Sequence, residues 1–258
     1  MKLATWNVNS LKVRLPHVLE WLSANEPDVL ALQELKQVTA AFPAEAISEI
    51  GYQCVASGQK TYNGVALISK KPLANPVTDF PGFEDPQRRI LAATAGGVRV
   101  INLYVPNGQY VGSEKYDYKL GWLAALHGFL DDELSRHENL VVLGDFNIAP
   151  ADADVHDPAK WGEGILCSPA ERSALRDLID LGLTDIYREF DQPEKSFSWW
   201  DYRAAGFRRN AGLRIDLILA SKSMTLVCNK SYSDREPRAW ERPSDHTPVI
   251  AEFELRPI

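Results

Sequence analysis

Leu140-Val141-Val142-Leu143-Gly144-Asp145-Phe146-Asn147 joins four apolar residues to a glycine, a carboxylate and an amide. The run has strand length and reads as buried on both faces, which puts Asp145 and Asn147 at its C-terminal end. The pattern recurs along the chain. Leu3-Ala4-Thr5-Trp6 is followed by Asn7, and Val29-Leu30-Ala31-Leu32-Gln33 by Glu34. Asp216 lies inside the apolar run Ile215–Leu219, and Ser244-Asp245-His246 stands just before Val249–Phe253. Val65–Ile68 and Val98–Val105 are further runs of strand length. A single carboxylate at a strand end is ordinarily a turn residue or a helix N-cap. Five such positions call for another reading, because strand ends of stacked sheets converge on one rim. Asp216 is the sharpest case. A buried acid between Ile215 and Leu217 needs a partner, since a lone buried charge is costly, and His246 is a natural one.

Helical spacing appears between these runs. Arg14 to Asn25 carries Leu15, Val18, Leu19 and Leu22, and Lys119 to His137 carries Leu120, Leu123, Leu130 and Leu134. Ser168-Pro169-Ala170-Glu171 is a capping box with proline at the first helical position. It predicts a helix through Leu175, Leu178 and Ile179 that stops at Gly182. Strands outnumber helices and alternate with them irregularly, so the expected class is α+β, a mixed sheet-rich core with helices outside. No break in composition divides the chain, and one domain over 1–258 is expected.

The 258 residues are 45% hydrophobic and 24% charged, which excludes disordered and low-complexity classes. A chain of this length buries roughly three quarters of its unfolded surface and needs no disulfide or metal staple. Cys54, Cys167 and Cys228 are far apart and odd in number. They argue against a disulfide framework or a CxxC zinc site and suit a reducing compartment. No apolar run has the length of a membrane span, and Met1–Trp6 lacks the longer apolar stretch of a signal peptide. A soluble cytoplasmic protein is expected.

The net charge of −7 excludes a uniformly basic nucleic-acid binder but not a local basic face. Between Ser196 and Arg214, the four residues Arg203, Arg208, Arg209 and Arg214 stand against Asp201, a local charge of +3. The excess acid lies elsewhere, as at Asp131, Asp132 and Glu133 and at Asp152, Asp154 and Asp157. The five histidines (His17, His127, His137, His156 and His246) form no HExxH or paired pattern, which disfavours zinc. Asp, Glu and Asn side chains with few histidines make an oxygen-donor set. Such a set suits Mg²⁺ or Mn²⁺ and the phosphate chemistry these ions serve.

In order and spacing, seven segments carry a resemblance: Thr5–Ser10, Leu32-Gln33-Glu34, Gly64-Val65-Ala66, Tyr104–Gly108, Gly144–Asn147, Leu213–Asp216 and Ser244-Asp245-His246. Together they resemble the exonuclease III family of the endonuclease–exonuclease–phosphatase superfamily, abasic-site endonucleases and 3′-exonucleases of DNA repair. The resemblance runs from Lys2 to Phe253. Gly58–Gly64, Ser113–Lys119 and Phe197–Arg203 point to its DNA-acting branch. A superfamily phosphatase acting on phosphoinositides or lipids would leave those three segments without a use. A catalytically silent regulatory binding protein would have lost some of Glu34, Asp145, Asn147, Asp216 and His246, and all five are present.

The resemblance implies a four-layer α/β/β/α sandwich, two mixed β-sheets packed face to face with helices outside, and a site at one rim. It implies Mg²⁺, with Mn²⁺ as a substitute. Glu34 would be the principal ligand, with Asn7, Asp145, Asn147 and Asp245 completing the metal environment. Asp145 would orient or deprotonate the attacking water, and Asn147 would hold that water or the scissile phosphate. His246, oriented by Asp216, would bond a phosphate oxygen, and Tyr104 would act near the developing charge. Lys12, Tyr62, Asn63, Asn107, Lys115, Tyr118 and Lys119 would face the DNA backbone, as would the loop with Arg208 and Arg209. Trp199 and Leu213 would line a pocket for a flipped-out abasic sugar, while at least one of Trp199 and Trp200 belongs to the core. The implied substrate is duplex DNA with abasic sites or damaged 3′ ends, bound by a monomer with no membrane attachment.

Overall fold

A computed structural model describes residues 1–255, so the last three positions of the expected 1–258 domain lie outside the described residues. Fourteen strands form two six-stranded sheets and a short ribbon. The first sheet has the order β13-β14-β1-β2-β4-β3. Its strands are β1 (Lys2–Asn7), β2 (Val29–Gln33), β3 (Gln53–Ser57), β4 (Val65–Ser69), β13 (Cys228–Ser233) and β14 (Val249–Phe253). The second has the order β5-β6-β7-β8-β12-β9. It is built from β5 (Leu73–Val77), β6 (Ile90–Ala95), β7 (Val98–Tyr104), β8 (Leu140–Asp145), β9 (Leu183–Asp185) and β12 (Asp216–Ser221). β10 (Trp199–Trp200) and β11 (Gly212–Leu213) make the ribbon. The α-helices are α1 (Leu11–Asn25), α2 (Ala44–Glu49), α3 (Glu114–Arg136), α4 (Pro158–Trp161), α5 (Pro169–Asp180) and α6 (Lys222–Thr225).

Alternation along the strands explains the layers. In β8, Val141 and Leu143 face the other sheet and pack with Leu3, Ala31, Leu67 and Ile218. Leu140 and Val142 face outward against Trp122, Leu126 and Leu130 of α3 and Leu175 and Leu178 of α5. On the far side, Ala4, Trp6, Leu30 and Leu32 meet Leu11, Val18, Trp21 and Leu22 of α1. A strand covered on both faces reads as a continuous apolar run, which is the pattern from which it was recognised. Each fully buried leucine contributes roughly 1.5–3 kcal/mol, so these three apolar layers dominate stability.

Each sheet holds one parallel pair, β1 with β2 and β7 with β8, and the other pairings are antiparallel. α1 and α3 are the crossovers that parallel pairing requires. The expected four-layer α/β/β/α sandwich is therefore present. Two helix starts differ from expectation. α1 begins at Leu11, whose buried side chain and N–H bond to the Leu35 carbonyl (3.2 Å) anchor the turn ahead of Arg14. α3 begins at Glu114 because the Ser113 hydroxyl accepts the Tyr116 N–H. The Ser168–Glu171 capping box and the helix it announces are as expected.

Gly144 is sterically obligatory. Its φ is +151°, and a Cβ there would lie 2.0 Å from the Leu103 carbonyl oxygen on the adjacent strand. The glycine lets β7 and β8 stay paired as far as Tyr104 and the buried Asp145.

Candidate active site

The topology places the polar residues before any one of them is considered. The parallel pairs run in the direction that brings Asn7, Glu34, Tyr104 and Asp145 to one rim. β12 and β14 are antiparallel to β8 and β1, so Asp216 and His246 reach that rim from the strands' N-terminal ends. Beneath it, polar side chains tie the sheets together. Gln33 Nε2 donates to Thr5 Oγ1 (2.9 Å) and Asn102 Oδ1 (2.7 Å), and Asn102 Nδ2 donates to the carbonyls of Leu32 (2.9 Å) and Ala66 (2.8 Å). These buried bonds tie the two sheets to each other, while Gln33 Oε1 itself has no partner.

Asn7 Nδ2 donates to Glu34 Oε1 and to Asp145 Oδ2, both at 2.9 Å. Tyr104 donates its hydroxyl hydrogen to Glu34 Oε1 (3.0 Å). Asn147 adopts φ +49° and Glu34 φ +56°, left-handed conformations that aim their side chains into the site. Asn147 N–H donates to Asp145 Oδ1 (2.9 Å), and its Nδ2 donates to the Val105 carbonyl (3.0 Å) and Asp145 Oδ2 (3.3 Å). Asn107 Nδ2 donates to Asn147 Oδ1 (3.2 Å). His246 Nδ1 lies 2.9 Å from Asp216 Oδ2, and its Nε2 lies 3.7 Å from Asp145 Oδ2. The partner expected for Asp216 is thus in contact with it.

Burial and charge set the protonation states. Burial is the largest influence on Asp145 and raises its carboxyl to about 7, against the opposing pull of His246 and the Asn7 and Asn147 hydrogen bonds. Burial alone would lower His246, but the Asp216 and Asp145 carboxylates outweigh it and raise the imidazole to about 10. Burial, reinforced by Glu34 and Asp145, holds the Tyr104 phenol well above its usual range, which keeps it a donor. At neutral pH the site combines an imidazolium, neutral donors and a carboxylate poised near the working pH.

One ligand atom from each of Glu34, Asp145 and His246 lies within 4.8 Å of the others. An imidazolium has no free lone pair, so the ligand chemistry rests on the two carboxylates. The Lys36 ammonium sits 2.9 Å from Glu34 Oε2, which shows that this carboxylate is satisfied by a cation. A hard divalent cation fits that donor set. Asp245 stands outside the three-residue group, with Oδ1 accepting from Asn9 Nδ2 (2.9 Å) and Oδ2 from Trp199 Nε1 (3.1 Å).

A model of the endonuclease/exonuclease/phosphatase family matches residues 4–246, a span that contains every residue of this constellation. The chain belongs to the endonuclease/exonuclease/phosphatase family. Within that family it is 38% identical to exodeoxyribonuclease III of Haemophilus influenzae, over 98% of this chain and 100% of the relative. The 3′-5′ exonuclease NExo of Neisseria meningitidis superposes with a TM-score of 0.97 at 53% identity, covering 99% of this chain and 100% of that one. An AP endonuclease from Archaeoglobus fulgidus gives 0.95 at 38% identity, with 99% and 100% covered. The resemblance to exonuclease III enzymes is borne out.

The expected DNA-facing residues of this family member divide into three groups. Tyr62, Asn63, Asn107, Lys115 and Tyr118 line a groove of about 690 Å³ beside Tyr104. Trp199 and Arg209 line a second cavity of about 400 Å³, with Arg208 and Lys12 exposed beyond these two hollows. Three expectations need correction. Lys119 is fully buried and ion-paired with Glu171 (2.5 Å), so it does not present to a backbone outside. Leu213 is also fully buried, packed with Val155, Leu166, Cys167 and Ile215 beneath Trp199 rather than lining an open pocket. Arg214 leaves the basic surface altogether. It bonds Asp154 (2.6 Å) and Asp185 (2.7 Å) at 1% side-chain exposure. Arg203 pairs with Asp201, which leaves Arg208 and Arg209 as the free charge of that segment among the described residues.

Several contributors had no role assigned from the sequence. Ser198 Oγ accepts the N–H groups of Ile215 (3.1 Å) and Asp216 (3.0 Å), and Ser244 Oγ donates to the Asn7 carbonyl (2.7 Å). Arg89 lies 4.8 Å over the Tyr104 ring. Ser244 and Ser198 fell inside the segments Ser244–His246 and Phe197–Arg203 without a role of their own, and nothing local marked Lys36 or Arg89.

Proposed function

We propose that this chain is a metal-dependent DNA repair phosphodiesterase that processes 3′ ends of duplex DNA, with incision at abasic sites as a related activity. The observation that carries the reading is the Asp216–His246–Asp145 alignment beside Glu34 and Asn7, on a family match spanning the site. The higher identity to a 3′-5′ exonuclease than to an AP endonuclease supports 3′-end chemistry as the main activity. A related solved structure, a 3′ phosphatase from Neisseria bound to a product DNA hairpin, supports duplex DNA as the substrate class.

Phosphodiester hydrolysis attacks an already anionic centre, so the site must neutralise charge and place a water in line. Glu34 and Asp145 would hold a divalent cation, Mg²⁺ by the hardness of the donors, with Asn7 bridging them and Asn147 adjacent. When bound, that ion supplies charge neutralisation and polarisation of oxygen. His246, charged and oriented by Asp216, donates to a non-bridging phosphate oxygen. Asn147 and Tyr104 donate without adding negative charge. Asp145, beside the attacking water, accepts its proton. One copy supplies the whole constellation, which supports reading the chain as a single-domain monomer. Three free cysteines support residence in the reducing cytoplasm, and among the described residues no helix is long and apolar enough to cross a membrane.

The test is one gel. Duplexes with an internal abasic site, a 3′-phosphate or a recessed normal 3′ end are incubated with Mg²⁺ or with chelator. Metal-dependent loss of the 3′ group, faster than abasic incision, is expected. Full activity in chelator, or no cleavage of any duplex, overturns the reading.

A further inference from the structure

Lys119 is a fully buried lysine with no place in the chemistry above. Its ammonium has three partners: Glu171 Oε1 (2.5 Å), the Asn147 carbonyl (2.7 Å) and the Asn107 carbonyl (3.2 Å). All three of its hydrogens are therefore committed. The two carbonyls belong to the residues whose side-chain amides bond each other over the site. Glu171 is also held on all sides. Its Oε1 accepts the Leu166 N–H (3.1 Å), and its Oε2 accepts from the Ser168 N–H (3.0 Å) and hydroxyl (2.6 Å). The capping box of α5 is thus the far end of a chain of contacts that ends at Asn147.

We infer that Lys119, locked by Glu171, is a positioning residue: it pins the Asn107 and Asn147 peptides so that both side-chain amides stay aimed at the scissile phosphate. The physical argument lies in the backbone. Asn147, two residues beyond β8, is left-handed and still buried, a conformation that persists only where its surroundings over-determine it. Drawing two carbonyls onto one ammonium supplies that constraint from below. On its other side the Asn147 amide is held by the Val105 carbonyl, Asp145 and Asn107, so backbone and side chain are fixed together. The ion pair makes the clamp rigid, since breaking it would leave an uncompensated buried charge.

The inference rests on the phosphodiesterase reading, and the experiment separates the two. Parent, Lys119→Met and the double variant Lys119→Met/Glu171→Gln are compared on a 3′-phosphate duplex with Mg²⁺. DNA affinity is measured separately in chelator. The double variant removes both charges together and leaves no uncompensated buried charge. Expected is a fall in kcat of tenfold or more in the double variant, with KM and DNA affinity within twofold of the parent. On an Asn147→Ala background the same pair should cost less kcat than in the parent, because part of its effect passes through that residue. An inactive parent sinks the phosphodiesterase reading. An active parent with an equally fast double variant sinks the inference, as does an additive loss on the Asn147→Ala background. Weakened DNA affinity with unchanged kcat would also sink it, since the pair would then support binding and not the aim of the amides.

Discussion

Asp145 and Asp216 are register partners on the adjacent antiparallel strands β8 and β12. Two carboxylates paired this way in a buried site repel each other, and His246 stands between them, 2.9 Å from Asp216 and 3.7 Å from Asp145. The histidine therefore has a structural reason to be charged before any substrate arrives.

Removing Glu34 tests the metal assignment. Glu34→Ala should lose most activity at ordinary Mg²⁺, and part should return at high Mg²⁺ or Mn²⁺ because Asp145 and Asn7 remain. Titrating the metal against initial rate reads this. A variant as active as the parent at every concentration would place the metal elsewhere.

Asp145→Asn is close to isosteric and removes both a base and a charge. The rate should fall about a hundredfold or more, the usual range for losing a general base. DNA affinity should hold or rise, since one negative charge near phosphate is gone. Single-turnover rates and binding in chelator separate the two; affinity falling in parallel with rate would make Asp145 an assembly residue.

Acidity offers a second view of Asp145. Its carboxyl is raised from 3.8 to about 7 in the folded chain. The folded state thus binds more protons than the unfolded one across that window. This contribution is fully present below 3.8 and is lost as pH rises through about 7. In metal-free buffer, Asp145→Asn should gain on the parent in melting temperature as pH rises over that window. Parallel melting curves across it would show that Asp145 carries no such burden.

Arg208 and Arg209 should anchor DNA despite the acidic chain. Each phosphate contact steepens the fall of affinity with salt by about 0.9 log units per log unit. Screening hides the distant acids while adjacent arginines still act. Replacing both with Ala should flatten the salt slope and weaken intact and damaged duplex alike, because phosphate contacts carry no lesion information. Trp199→Ala should leave the slope alone and reduce preference for the abasic duplex. A salt series of binding in an Asp145→Asn background checks both, and an unchanged slope in the double arginine variant removes that loop from the interface.

Gly144→Ala should be among the most damaging single-methyl changes in the protein. The added carbon meets the Leu103 carbonyl at 2.0 Å, so β7 and β8 must part just below the site. A loss of about 4 kcal/mol or more is expected, in the tail of mutational effects. Urea unfolding measures it, and a loss under about 1 kcal/mol would contradict the close approach.

The sequence by itself determined the layers and the rim. Runs such as Leu140–Leu143 are apolar on both faces only because helices cover one face and a second sheet the other. Asp145, Glu34, Asn7, Asp216 and His246 stand at strand ends, where backbone geometry makes them neighbours. The α5 start was legible because a capping box is a local contact, closed within four residues. Tertiary structure alone decided what each charge does. Arg214 finds Asp154 across 60 positions and Lys119 finds Glu171 across 52, and both leave the surface to which their charge had assigned them. Lys36, Ser198 and Arg89 entered the site in the same way, and Leu213 sank beneath Trp199. The physical reason is one of range: strand and helix patterns are set by neighbours along the chain, whereas a charge takes its environment from whatever folding brings within a few ångströms.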